Sequence, residues 1–296
     1  TFQITTVYHG NLVQYIDRVF NFGGLEFLPS YIFIAALSFF VLLLALEISP
    51  WLAIIGGIAY ALSSYNLIIL EAGHNSKMHT ISLVPFLFAG VFWLWRKKYL
   101  LGAAVTATAF SLLIYANHVQ ITYYTMLTLL ILGVVLFVYT AAKTKDWKHL
   151  VIVGGIIISA GLIGALSNAA SLWATYEYGT KTIRGKSELT SNNQSNGGLD
   201  RDYAYGWSNG KLEVFTLLIP NFVGGSSHAE LSEESTVAQK MREGGVPPQQ
   251  VSQYIKRMPI YWGAKPFTSG PAYLGAIMCF LFVLGLFVVE SRPLRW

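Results

Sequence analysis

The sequence predicts an all-α integral membrane protein, a bundle of about seven transmembrane helices carrying a mixed extracytoplasmic loop domain. Three observations lead there. Hydrophobic residues make up 54% of the 296 and charged residues 12%, a balance that water-soluble domains of this length rarely show. The apolar residues fall into long runs, each close to the roughly 20 residues that cross a bilayer. Between the runs the polar residues are sorted, with basic clusters on one side and a set rich in His, Glu and Asn on the other.

Residues 1–27 read as the end of a first outer loop. Within them Asn11 precedes Leu12, Val13, Ile16, Val19 and Phe20 at helical spacing, with Asp17 and Arg18 turned the other way. That pattern suits a short amphipathic helix lying on the membrane surface, or a soluble helix packed on another domain. Six runs then fill residues 28–170: Leu28 to Leu46, Trp51 to Leu70, Thr80 to Trp95, Tyr99 to Tyr115, Ile121 to Ala142 and Leu150 to Ala170. A seventh, Pro271 to Val289, occupies residues 271–290, and residues 291–296 begin a further loop. All seven are expected to be helices, because backbone exposed to lipid must satisfy its own hydrogen bonds.

Orientation follows from Lys and Arg in the short loops, since positive loops stay cytoplasmic. Arg96-Lys97-Lys98, Lys143 to Lys148, and Arg292 with Arg295 share one side when the runs are threaded alternately. Residues 1–27, Glu71 to His79, the turn at His118 and residues 171–270 are then outside. The net charge of +5 reflects these anchors and carries no nucleic-acid meaning. The chain opens on Thr1 with no positive n-region, so the expectation is an internal start preceded by an earlier span, and a stop at Trp296 inside a cytoplasmic loop. Cys279 sits in the last run as a small core residue.

The outer segment 171–270 has its own organisation. Ser171 to Arg184 continues the sixth run as a helix bearing Trp173, Tyr176 and Tyr178, and Lys186 to Gly210 is loop by composition. Leu212 to Phe222 is apolar but too short to span, so it is either buried in the outer domain or dips into the membrane. Ala229 to Arg242 and Pro248 to Met258 read as polar helices parted by Gly244-Gly245 and Pro247.

Candidate chemistry gathers at the outer ends of the runs. The second ends in Ser63, Ser64, Tyr65 and Asn66 and exits through Glu71, His74, Asn75, Lys77 and His79. Asn117, His118 and Gln120 join the fourth and fifth, with Thr122, Tyr123 and Tyr124 just inside; Ser167, Asn168 and Ser171 close the sixth. Polar groups at membrane depth cost several kcal/mol unless they face a bundle interior or a wet cavity. Their collection on one side therefore suggests a cavity open to that side, the plainer reading being helix caps and turn hydrogen bonds. His74, His79 and His118 lack the close spacing of metal ligands and read as neutral hydrogen-bonding groups. Lys77, Arg184 and Lys186 are either phosphate partners or ordinary surface charges. Asp200 and Asp202 flank Arg201 as acid, base or solvated charges, and Asn193-Gln194-Ser195 matches a glycosylation acceptor.

Longer strings bring a family into view. Glu71-Ala72-Gly73-His74-Asn75-Ser76-Lys77-Met78, then His118-Val119-Gln120 with Tyr123-Tyr124, resemble the YfhO-like bacterial membrane proteins, especially their Bacteroidetes-type members. Thr182-Ile183-Arg184-Gly185, Thr216 to Asn221, Gly224-Gly225, and Tyr261-Trp262-Gly263 running into Pro266 to Pro271 match as well, in order, from about Thr1 to Glu290. The resemblance implies a GT-C-like fold in the bacterial inner membrane and a C-type glycosyltransferase, moving a sugar from a polyprenyl-phosphate donor to an outer glycan, lipid or protein acceptor. It implies a catalytic carboxylate in the first outer loop, expected upstream of Thr1, with Asp17 a poor substitute. Lys77, Arg184, His74, His118, Glu71, Asn75, Gln120 and Tyr123 would line the donor-phosphate and substrate cavity. The resemblance names no cofactor with certainty and leaves a divalent cation open.

Two other classes share the sequence features. A transporter or flippase for lipid-linked sugars would line both halves of the bundle with polar residues, whereas this chain concentrates them in one, without broken helices at matching positions of two halves. A non-catalytic subunit anchoring a larger membrane complex would use the outer segment as its docking surface.

Overall fold

A computed structural model describes residues 11–21, 27–179, 201–227, 229–265 and 272–288. The chain divides into two compact units, Thr1–Gly185 and Lys186–Trp296. Among the described residues the regular secondary structure is helical, with isolated bridges at Phe222, Gly224 and Tyr261.

The first unit runs α1 (Leu12–Phe20), α2 (Phe27–Ala45), α3 (Pro50–Ala61), α4 (Ser64–Glu71), α5 (Asn75–Trp95), α6 (Tyr99–Tyr115), α7 (Val119–Tyr139), α8 (Trp147–Ser167) and α9 (Ala169–Gly179). Among the described residues, four stretches are long and apolar enough to cross a membrane: Pro50–Glu71, Asn75–Trp95, Val119–Thr144 and Trp147–Ser167. Pro29–Ala45 and Tyr99–Tyr115 are apolar but shorter.

α5 is the axis of this bundle. It packs between α2 and α6, with α3 beyond α2 and α8 beyond α6. Within its most apolar window 61% of residues are buried in the protein, against 11% for α7 and its extension. α7 therefore presents its apolar faces outward, and the core is built from Ile34, Met78, Leu83, Leu87, Leu112 and Leu113. Backbones come close where side chains vanish: a Cβ at Gly90 would lie 2.7 Å from Thr106 N, and one at Gly102 2.7 Å from Leu94 N. Small residues let apolar helices approach in this way.

Two interruptions of the apolar helices are each repaired by one side chain. Pro85 lies inside α5 and has no N–H, so the carbonyl of Ile81 loses its partner one turn earlier. Tyr60 Oη, from α3, donates to that carbonyl at 3.0 Å, with its ring stacked on Phe39 at 4.6 Å. The second run was expected as one span, Trp51 to Leu70, but it breaks between α3 and α4 at Leu62 and Ser63. There buried Asn66 donates Nδ2 to the carbonyls of Tyr60 at 2.9 Å and Ala61 at 3.3 Å.

The two ends of the bundle differ in chemistry. At one end Arg96 pairs with Glu47 at 2.8 Å and Lys97 with Asp146 at 2.7 Å, drawing together the turns that follow α2, α5 and α7. The Lys97–Asp146 hydrogen bond raises the lysine above its ordinary value and lowers the carboxyl below its own. Exposed pairs like these locate turns more than they stabilise them. At the opposite end the chain turns through Gly73 (φ 74°) and Asn117 (φ 54°), both left-handed, as helix C-termini commonly require.

α1 lies at that second end, against α6. Asn11 caps it, its Oδ1 accepting from Val13 N at 2.9 Å, while Asn11 Nδ2 donates to Asn168 Oδ1 at 3.0 Å. The sequence reading turned Asp17 outward; instead Val13 and Asp17, one turn apart, are the buried positions, and Leu12, Ile16 and Val19 are exposed. Hydrophobic spacing identifies the apolar face, but here a polar anchor decides which face meets the protein.

The second unit holds α10 (Arg201–Tyr205), a 3₁₀ turn (Glu213–Leu217), α11 (Thr236–Glu243), α12 (Pro248–Ile255) and α13 (Ala276–Val288). α11 starts later than the expected Ala229 because Ser235 caps it, Oγ accepting from Ala238 N at 3.2 Å. Ala238, Val251 and Ile255 form a small core with Leu231, Met241 and Val246 around it. Arg184, Lys186, Asn193, Asp200 and the stretch Pro266 to Pro271 lie outside the described residues.

Candidate functional site

The turns at Gly73 and Asn117 bring His74, Lys77 and His118 to one end of the first unit. His74 and His118 are the N-cap residues of α5 and α7, where the first backbone N–H groups of a helix point outward and favour anions. Lys77 Nζ stands 5.3 Å from the Tyr65 ring centroid, a cation–π contact that holds the ammonium over α4. His118 is half-buried, and its Nδ1 accepts from Ile121 N at 3.3 Å. With Nδ1 accepting, the neutral ring carries its proton on Nε2. Burial holds His118 below the ordinary histidine value, against a smaller pull from a backbone hydrogen bond; electrostatic influence from Lys77, and less so from His74, lowers it further. Three candidates from different turns thus share one electrostatic neighbourhood.

The remaining candidates are placed differently. Glu71 ends α4, is exposed, and contributes to an apolar groove of about 690 Å³ whose walls include Ile32 and Phe33 of α2, Ile58 of α3, Leu62 of the break that follows it and Leu67 of α4. Asn75 is exposed in the first turn of α5. Gln120 and Tyr123 are exposed on α7, Gln120 donating to Tyr124 Oη at 3.1 Å. Arg184 lies outside the described residues. Asn66 and Asn168 have structural employment: Asn168 Nδ2 donates to the carbonyls of Ser111 and Gly164, each at 3.0 Å, tying α8 to α6.

Below this end sits a pair that hydrophobic periodicity does not reveal. Asp17 Oδ1 lies 3.0 Å from His79 Nε2, with both side chains largely buried. The two atoms have no aligned hydrogen bond, although 3.0 Å is close enough for an ion pair. The contact is a close polar approach between two buried groups, held by distance more than by alignment. Tyr31 stacks on the imidazole at 4.8 Å, and Asn21 Nδ2 donates to the other carboxylate oxygen at 2.9 Å. His79 follows Lys77 by two residues on α5, a rise of about 3 Å. The sequence offered no direct signal for the pair, because Asp17 and His79 come from segments joined only by tertiary packing. No group of three or more His, Cys, Asp or Glu residues is placed to hold a metal among the described residues.

Among the described residues, fold and site together define a helical protein with four helices long and apolar enough to cross a membrane, and with His74, Lys77 and His118 gathered at one end. No family model, curated protein or solved structure matches the chain.

Proposed function

We propose that this protein is a multi-pass membrane glycosyltransferase that takes a sugar from a polyprenyl-phosphate donor and delivers it to a glycan, lipid or protein acceptor at the outer face of a bacterial inner membrane. The observation that carries the proposal is the convergence of Lys77 and His74 on His118 at the bundle end opposite the basic turns. A lipid-linked phosphate needs cationic and hydrogen-bonding groups at headgroup depth beside an apolar surface. Lys77 supplies a mobile charge and His118 Nε2–H a donor. The groove of about 690 Å³ lined by α2, α3 and α4 offers apolar wall in the same unit.

In the transfer step the acceptor oxygen bonds to the anomeric carbon as the bond from that carbon to the phosphate oxygen breaks. The phosphate leaves as polyprenyl phosphate with its charge held by Lys77 and His118, and the hydroxyl proton passes to a base. The test is transfer and binding by the full chain in lipid nanodiscs, with polyprenyl phosphate as the binding probe. Lys77→Ala should weaken binding by tenfold or more, the effect of about 1.5 to 3 kcal/mol for a lost charge-assisted hydrogen bond. Unchanged binding with folding intact would reject the site.

A further inference from the structure

In the second unit, the segment Leu212 to Phe222 is turned inside out. Glu213 and Thr216 are 1% and 3% exposed, whereas Leu212, Val214, Phe215, Leu218, Ile219 and Phe222 are between 42% and 64% exposed. Local geometry produces this inversion. Residues Glu213–Leu217 form a 3₁₀ turn, in which side chains three apart eclipse one another. Glu213 and Thr216 therefore share one side, and the residues between them project elsewhere. The carboxylate is fixed inward by Gly210 N–H and by Tyr261 Oη–H, which both donate to it. Gly263 leaves room for this arrangement, since a Cβ there would collide with Glu213 and with the tyrosine hydroxyl.

What covers the outward face is indicated by its neighbour. Leu274 N donates to Leu217 O at 3.0 Å, joining the turn to the residues just ahead of α13, an apolar helix shorter than a full span whose Ile277, Phe280, Phe282 and Phe287 are 64% to 79% exposed. The turn is thus hydrogen-bonded through its backbone to the segment that leads into an apolar helix. Between Leu212 and Val223 Glu213 is the only charged residue, and it is the one held inside. Trp262, 78% exposed, adjoins through its N–H to Val223 O at 2.7 Å, and Trp favours the membrane–water interface. Withdrawing the charge and turning out Leu, Ile and Phe is favourable in lipid and costly in water.

We infer that the turn around Glu213, with Phe222 and Trp262, is a lipid-inserting element that seats the second unit on the acyl boundary of the leaflet where α13 begins. The buried Glu213–Tyr261 contact is what presents the inserting face. This goes beyond the sugar-transfer proposal and stands without it.

The test uses the full chain in a Cys279→Ser background, with the environment-sensitive fluorophore NBD attached at Phe215→Cys, Ile219→Cys or, as a control on polar α11, Lys240→Cys. Each variant is reconstituted in vesicles of phosphatidylethanolamine and phosphatidylglycerol. Quenchers carried on lipid acyl chains should remove most fluorescence at positions 215 and 219 and little at 240, while aqueous iodide should do the reverse. Iodide quenching at 215 and 219 equal to that at 240 would overturn the inference. Protection of 215 and 219 from both quenchers would also overturn it, by showing that protein covers the face.

Discussion

The carboxylate of Asp17, on the short helix that opens the described chain, lies 3.0 Å from the imidazole of His79 on the central helix of the bundle. Their side chains are 13% and 7% exposed, so loss of one partner leaves the other polar group buried and uncompensated. Asp17→Ala and His79→Ala should each destabilise the detergent-solubilised protein by about 3 kcal/mol, near the lower end for a broken buried pair. The double variant should cost clearly less than the sum, as groups in contact are not additive. Additive losses in denaturant unfolding would show that the two residues act separately.

Tyr60 and Pro85 should be coupled through a carbonyl neither owns. Tyr60→Phe removes the donor to Ile81 O and should cost about 1 to 3 kcal/mol, the penalty for an unsatisfied buried acceptor. In a Pro85→Ala background the helix regains its own N–H one turn on, and the same Tyr60→Phe change should become nearly neutral. An undiminished cost in that background would mean that the hydroxyl matters for another reason.

Glycines on the helices should divide sharply. Gly90→Ala places a methyl 2.5 Å from Thr106 Oγ1 and 2.7 Å from its backbone nitrogen, and backbone cannot yield, so about 1 to 3 kcal/mol of overpacking strain is expected. Gly133→Ala meets nothing within 4 Å and should be neutral or stabilising by up to about 1 kcal/mol through helix propensity. Equal thermal shifts for the two would remove α5 from the centre of the bundle.

The apolar runs were legible as helices because composition and length speak locally, and the basic turns were legible because charge type repeats. The break at Leu62 and Ser63 was harder to see: those residues look like a span end, and the buried Asn66 that mends it looks like outer polarity. Likewise Asn168 was grouped with the site, although its hydrogen bonds go to Ser111, Gly164 and Asn11. Residue type announces a polar group at depth but not its partner, which depends on contacts across helices. Asp17 was misplaced for the same reason. Its helix has a clear apolar face, yet what holds it to the bundle is a carboxylate meeting a histidine from another helix.

The sorting of the two ends also fixes a topology experiment. Asn75 begins α5 and Lys145 follows the turn after α7, at opposite ends of the bundle. Single cysteines at these positions in a Cys279→Ala background should react with an impermeant maleimide from opposite faces of sealed vesicles, with position 145 on the cytoplasmic side. Reaction of both from one face would reject the threading.

His118 ties the site to pH, and the sign differs for folding and for binding. Burial, with the positive charge of Lys77 nearby, holds it below the ordinary histidine value, so the folded protein keeps it neutral where an unfolded chain would already be protonated. Stability from this group is therefore undisturbed above about pH 6.5, falls as pH drops through that ordinary value, and stops falling below the folded pKa. Phosphate binding should move the other way, because the proton that disfavours folding adds a positive charge beside Lys77. Affinity for polyprenyl phosphate should rise as pH falls through the folded pKa, below about 6.5. His118→Gln should abolish that acid limb, which separates it from the titration of the phosphate itself, whose second pKa of about 6 is the same in both proteins. An identical pH profile in wild type and His118→Gln would take the histidine out of the binding site and leave it as the cap of α7.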